Sequence, residues 1–183
     1  MCESIWKSSA EKLKSTRYLA IMAAMIAMKT VVSFWYIPVG ENLHIGLSFL
    51  LVALEAAILG PCAGMISGFV TDLVSFMIAP SGPFFFGYTL TAMLGSLIYS
   101  LFFYHHPITL KRITLAKIST NYLVNVLLGS LWSAMLYSKG YYYYFVKSLI
   151  KNTILLPFEI AALFALFKLL MPYLKKKKLI VED

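Results

Sequence analysis

The chain is predicted to be an all-α integral membrane protein with six spanning helices and both termini in the cytoplasm. Three observations predict this. Of its 183 residues, 60% are hydrophobic and 13% are charged, against ~45 to 50% and ~25% in soluble domains. The apolar residues fall in blocks of about 17 or more, the length at which a helix crosses hydrocarbon, with no run of short alternating strands such as a membrane barrel needs. Twelve of the sixteen lysines and arginines fall on one side of the resulting topology. The positive-inside rule makes that side cytoplasmic.

Residues 1–18 are polar, with Lys7, Lys12, Lys14 and Arg17 set against Glu3 and Glu11, and are expected to form a cytoplasmic lead-in at the membrane interface. Helix one is expected from about Arg17 to Ile37, closing on Trp35, Tyr36 and Pro38, an aromatic belt followed by a helix stop. It is too long and lacks the small-residue cleavage site of a secretory signal. VGENLH forms the outer loop.

Helix two is placed at about Leu43 to Leu59 and contains Glu55, with Gly60 and Pro61 as a tight turn. Helix three, about Ala63 to Ala79, carries Gly64 and Gly68, a spacing that lets helices approach closely. Helix four runs from about Phe84 to Tyr104 beyond the Pro80 to Pro83 turn, and HHPITLKRITLAK is read as a cytoplasmic loop. Helix five, about Ile113 to Tyr137, and helix six, about Tyr143 to Leu170, enclose SKG. Residues 171–183 form a basic cytoplasmic tail with Lys175 to Lys178. The whole chain, 1–183, is one domain. It has no internal repeat and no phosphate loop, so an energy source would come from another chain.

Asp72 is the isolated acid of helix three. A carboxylate at membrane depth costs ~2.5 to 3.5 kcal/mol on insertion scales, so it is kept from lipid and used. The outer segments bring aromatic and hydrogen-bonding groups near it: Trp35, Asn42 and His44, then Phe84, Phe85 and Tyr88, with Trp132 below. Flat side chains beside an acceptor suit a planar aromatic ligand. The run Tyr141 to Tyr144 by itself reads as an interfacial belt. Lys147 and Lys151, one turn apart, can meet a ligand carboxylate, snorkel, or pair with Asp72 or Glu41. Lys29, midway along helix one, needs a partner, for which Glu55 and Asp72 are the candidates. Glu159, after Pro157, is read as structural. Ala20, Ala23, Ala24 and Ala27 leave a smooth packing face on helix one. No nucleophile with a base, metal-ligand set or cofactor motif occurs, which argues against an enzyme. The charge follows the membrane sides, which argues against nucleic acid as a partner.

The residues AAMIA, NLHIGLSFL, GPCAGMISGFVTDLVSF and PSGPFFFGYTLTAMLGSLIYSL, with LLGSLW and VKSLIKNTILLPFE further on, resemble the substrate-binding S-components of energy-coupling factor (ECF) vitamin transporters, most closely the folate type. The resemblance covers nearly the whole chain. It implies a six-helix protein of a prokaryotic plasma membrane that captures a vitamin from outside. Its alanine face, matched by Ala23 and Ala27, would dock on a transmembrane coupling subunit driven by two ATPases, and toppling in the membrane would release the ligand inside. His44, Gly129 and Lys147 depart from the folate pattern, where arginine, asparagine and arginine are common. Lysine lacks the bidentate fork of arginine. Folate is the expected ligand, with riboflavin or a deazapurine as same-class alternatives and a non-transporting scaffold as the rival from another class.

Overall fold

The computed structural model describes residues 2–40, 43–78, 84–137, 140–177 and 179–180. Glu41, Asn42, the Pro80 to Pro83 turn, Ser138, Lys139, Lys178 and the acidic tip lie outside the described residues. The helical membrane class holds. Among the described residues, four helices are long and apolar enough to cross a bilayer: α2 (Thr16–Ser33), α4 (Pro61–Ile78), α5 (Phe86–Phe103) and α8 (Tyr141–Lys176). The apolar helix α3 (Ser48–Leu59) is shorter.

The polar lead-in forms α1 (Cys2–Lys12), which is packed onto the bundle. Ser9 is fully buried where α3 turns into α4. Its Oγ donates to Leu59 O at 2.8 Å and accepts from Ala63 N at 3.2 Å. One hydroxyl thereby serves the last carbonyl of one helix and a first N–H of the next, groups that have no partner within their own helix. Gly60 makes the turn at φ 81, a backbone conformation suited to glycine, and a Cβ there would sit 2.9 Å from the Tyr104 ring. Lys12 Nζ donates to Ile58 O at 2.5 Å and stands 4.5 Å from the centre of the Tyr104 ring.

Burial pulls the Lys12 ammonium down from 10.5 to about 8. A base whose folded value is depressed is bound by more protons when its helix is undocked, throughout the window between the two values. Docking of α1 is therefore expected to strengthen as pH rises from about 8 towards 10.5 and to level off above it. Hydrogen exchange of the Ser9 region across that range measures this, and protection that falls with rising pH would refute it.

Helix one is shorter than its sequence predicts. It ends at Ser33, and Tyr36–Gly40 (β1) pairs antiparallel with Leu43–Gly46 (β2), with Tyr36 opposite Gly46 and Ile37 opposite Ile45. The β-branched residues Ile37, Val39 and Ile45 favour strand, and Pro38 bars the helix from continuing. The same hairpin takes the first residues of the expected helix two. At the other side, the expected loop 105–117 is a loop only as far as Thr109. The Thr109 Oγ1 accepts Arg112 N at 3.4 Å, an N-cap that starts α6 (Leu110–Ser119). α6 runs without a break into a π-helical segment, Thr120–Leu128, and α7 (Gly129–Leu136). Lys117 is consequently a helical residue, 2% exposed, and is removed from the cytoplasmic loop charge.

α4 and α5 pack closely along the predicted glycine face, where a Cβ on Gly68 would stand 3.0 Å from Ala92 O. The apolar core gathers Ala53, Ala57, Tyr99, Phe103, Leu163 and Phe167 between α3, α5 and α8. α2 is fastened differently. Lys29 pairs with Glu55 at 2.5 Å and donates to Ser67 Oγ at 2.8 Å, and Ser67 Oγ donates to the other Glu55 oxygen. All three side chains are at most 2% exposed. Of the two partners the sequence allowed for Lys29, the fold selects Glu55.

Candidate functional site

A cavity of ≈ 270 Å³ opens between α3, α5, the π-helical segment, α7 and α8. Its α8 wall is set by helical spacing: Tyr144, Ser148, Asn152, Leu155 and Glu159 recur every three or four residues along one face, with Lys151 beside them. On the facing helix, Lys117 Nζ lies 3.2 Å from Glu159 Oε1. Asn121 Nδ2 donates to Glu159 Oε2 at 2.7 Å, and Asn125 Nδ2 donates to Asn121 Oδ1 at 3.2 Å. The two amides donate in sequence towards one Glu159 oxygen while Lys117 meets the other, so the bonds converge on the carboxylate and are strengthened by the low dielectric. Lys117 also sits 3.9 Å from the centre of the Phe49 ring, on the cavity's α3 side. In the π-helical segment each N–H reaches back five residues, as Gly129 N does to Val124 O. Such widened turns are often found at functional sites.

The other end of the cavity is aromatic and hydroxylic. Tyr88 and Thr91 line it from α5. The Tyr88 hydroxyl is 3.5 Å from Ser133 Oγ, and Trp132 Nε1 donates to Thr91 Oγ1 at 3.0 Å. Phe85 packs 5.6 Å from Trp132 and 6.2 Å from Tyr88, between centroids. Lys151 is eight residues from Glu159 on α8, a rise of about 12 Å. The cavity thus has a neutral ion pair at one level and a lysine at another.

The structure brings some of the sequence candidates together and separates others. Tyr88 and Lys151 are on the wall, and Phe85 and Trp132 stand immediately behind it. Lys147 is one turn from Lys151, with Nζ 5.8 Å from the centre of the Tyr143 ring. Phe84 is half-exposed and edge-on to Phe76 at 5.1 Å, and Trp35 is 77% exposed. Asp72 accepts from Thr89 Oγ1 at 2.6 Å across the α4–α5 contact and is not among the side chains lining the cavity. Asn42 and the His44 side chain lie outside the described residues.

The family pattern described as "ECF transporter, substrate-specific component" matches residues 17–174. The chain belongs to that family. As an S-component it is the substrate-binding part of a transporter and not an enzyme. Among relatives of this S-component, a folate transporter FolT of Clostridium novyi is 31% identical over 157 residues, covering 86% of this chain and 91% of the relative. A folate transporter FolT of Leuconostoc mesenteroides is 30% identical over 152 residues, covering 79% and 81%. The crystal structure of FolT bound with folic acid superimposes with a TM-score of 0.78 at 31% identity, over 83% of this chain and 93% of that one.

Among the polar residues on the wall of this S-component's cavity, Lys117, Asn125 and Asn152 are missed by sequence reasoning, as is Asn121, which bonds Glu159, and Glu159 itself is read there as structural. A signal for them exists. Ser148, Asn152 and Glu159 share one face of a largely apolar helix, and Asn121 and Asn125 are four apart in a mostly apolar run. On α2 the predicted smooth face is open: Ala20, Ala23, Ala24 and Ala27 are all exposed, opposite the buried Met25 and Lys29.

Proposed function

We propose that the chain captures folate for an ATP-driven ECF importer of a prokaryotic plasma membrane. The observation that carries this is the cavity, whose paired Lys117 and Glu159, further lysine Lys151 and aromatic end match a ligand with a neutral hydrogen-bonding ring and an acidic tail. Its fold is shared with a FolT that holds folic acid. The ring would sit against the ion pair, where its N–H groups meet Glu159 without adding net charge. The acidic tail would reach towards Lys151 and Lys147. Tyr88, with Phe85 and Trp132 behind it, would supply apolar surface. Asp72 would act by holding α5 to α4 through Thr89.

In this reading the six spans are α2, α3, α4, α5, the continuous helix from Leu110 to Leu136, and α8. The basic ends, from Lys7 to Arg17 and from Lys175 onward, face the cytoplasm. The alanine face of α2 would dock on a transmembrane coupling subunit, which two ATPases drive.

Equilibrium binding to the purified protein in detergent tests the ligand. Trp132 bonds a cavity-wall residue, so folic acid is expected to quench tryptophan fluorescence saturably and near one to one, with riboflavin, thiamine and pantothenate failing to compete. Trp132→Phe should remove most of the quench while leaving Trp6 and Trp35 in place. Saturable binding of a competitor in place of folic acid would reject folate as the ligand and leave the family unchanged.

A further inference from the structure

Five buried side-chain oxygens have no hydrogen-bond partner among the described residues, and of these only Ser130 Oγ belongs to a cavity-lining residue. Ser130 is 1% exposed. A buried polar atom without a partner is costly and is normally satisfied by something. The neighbouring polar groups have partners: Ser133 Oγ donates to Gly129 O at 2.8 Å, and Ser148 Oγ donates to Asn125 O at 3.3 Å.

The preceding residue adds a second observation. Gly129 also lines the cavity, and it has ordinary helical backbone at φ −59, so its conformation does not require glycine. A Cβ built there would meet only Val124 O, at 3.7 Å, an ordinary contact. Protein packing therefore does not demand glycine either. The wall carries an unfilled notch next to an unpaired hydroxyl.

We propose that Ser130 is a specificity-determining ligand contact, its hydroxyl donating to an acceptor oxygen of the bound ligand, and that Gly129 keeps the adjoining wall open for that ligand. Lys151 lines the same cavity from α8, and a cation on the wall favours a ligand that brings acceptor oxygens, to which a hydroxyl donates. The inference rests on the folate-binding reading.

The two roles a buried serine can have predict different signatures. A structural serine loses stability when truncated. A ligand contact that is unpaired without its ligand does not, because truncation removes the unsatisfied atom. Ser130→Ala is therefore expected to keep or raise the Tm of the ligand-free protein while weakening folic acid binding by about 3- to 15-fold, the loss of one neutral hydrogen bond. Ser130→Thr, which keeps the hydroxyl, should bind within about twofold of the parent. Gly129→Ala should likewise keep or raise the ligand-free Tm, since alanine favours helix, and weaken binding by putting a methyl in the notch. Unchanged affinity in Ser130→Ala overturns the assignment of the hydroxyl, as does a ligand-free Tm that falls. Unchanged affinity in Gly129→Ala overturns the role of the notch. If the parent itself fails to bind folic acid, the folate reading fails, and a ligand-free Tm that drops in Ser130→Ala still rejects the unpaired hydroxyl.

Discussion

Replacing either Lys29 or Glu55 alone by leucine is expected to cost about 3 to 5 kcal/mol of stability, whereas replacing both together is expected to restore most of it. The reason is the closed ring of Lys29, Glu55 and Ser67, which joins α2, α3 and α4 with every member at most 2% exposed. A single substitution leaves one charge at membrane depth without its ion-pair partner. The double substitution leaves no charge and fills the space with apolar side chains of similar volume. Ser67 retains the option of bonding the carbonyl four residues back, as Thr71 does to Ser67 at 2.7 Å. Thermal unfolding in detergent, followed by size-exclusion of the heated sample, measures the three variants. Singles as stable as the parent would show that the pair is not holding the bundle. A double as unstable as the singles would show that its hydrogen-bonding geometry, not charge balance, is what matters. None of the three residues lines the cavity, so folic acid affinity in the double should stay within about twofold of the parent.

The second large effect belongs to Glu159. Glu159→Ala removes the acceptor for Asn121 and the counter-charge of Lys117 at once, on the cavity wall itself. Folic acid affinity is expected to fall about 10- to 100-fold, which corresponds to ~1.5 to 3 kcal/mol for hydrogen bonding to a charged group. Asp72→Asn provides the contrast. Asparagine keeps an oxygen for the Thr89 hydroxyl, and position 72 is not on the cavity wall, so the affinity should change by no more than about threefold. Titration of both variants by tryptophan quenching decides between them. A large loss at position 72 with none at 159 would return the ligand to the α4–α5 side of the bundle and refute the cavity as the site.

Two carboxylates that look alike in sequence therefore have different expected roles. Asp72 and Glu159 are each isolated acids within apolar helices, and insertion cost marks both as groups to be kept from lipid. It does not say what each one faces. That depends on helix rotation, which packing sets. Asp72 turns to Thr89 and Glu159 turns to the cavity, Lys117 and Asn121. Lys117 was obscured for a related reason. The basic pair Lys111 and Arg112 next to it made the stretch look like a cytoplasmic loop, whereas the Thr109 cap starts a helix that carries Lys117 into the protein.

The sequence by itself determined the class. Block length and composition require membrane helices, since only intrahelical hydrogen bonding satisfies a backbone in hydrocarbon. Its motifs carried the family, and its alanine and glycine spacings marked the open face of α2 and the close α4–α5 contact. These properties are local, fixed by residue type and period. Only the tertiary structure decided that Lys29 takes Glu55, that residues 36–40 and 43–46 leave the helical pattern as paired strands, and that a π-helical segment sets Asn121 beside Glu159 with Asn125 bonded behind it. Each of these depends on which face meets which across tens of residues, and a helix carries no record in its own sequence of how far it has turned towards its neighbours.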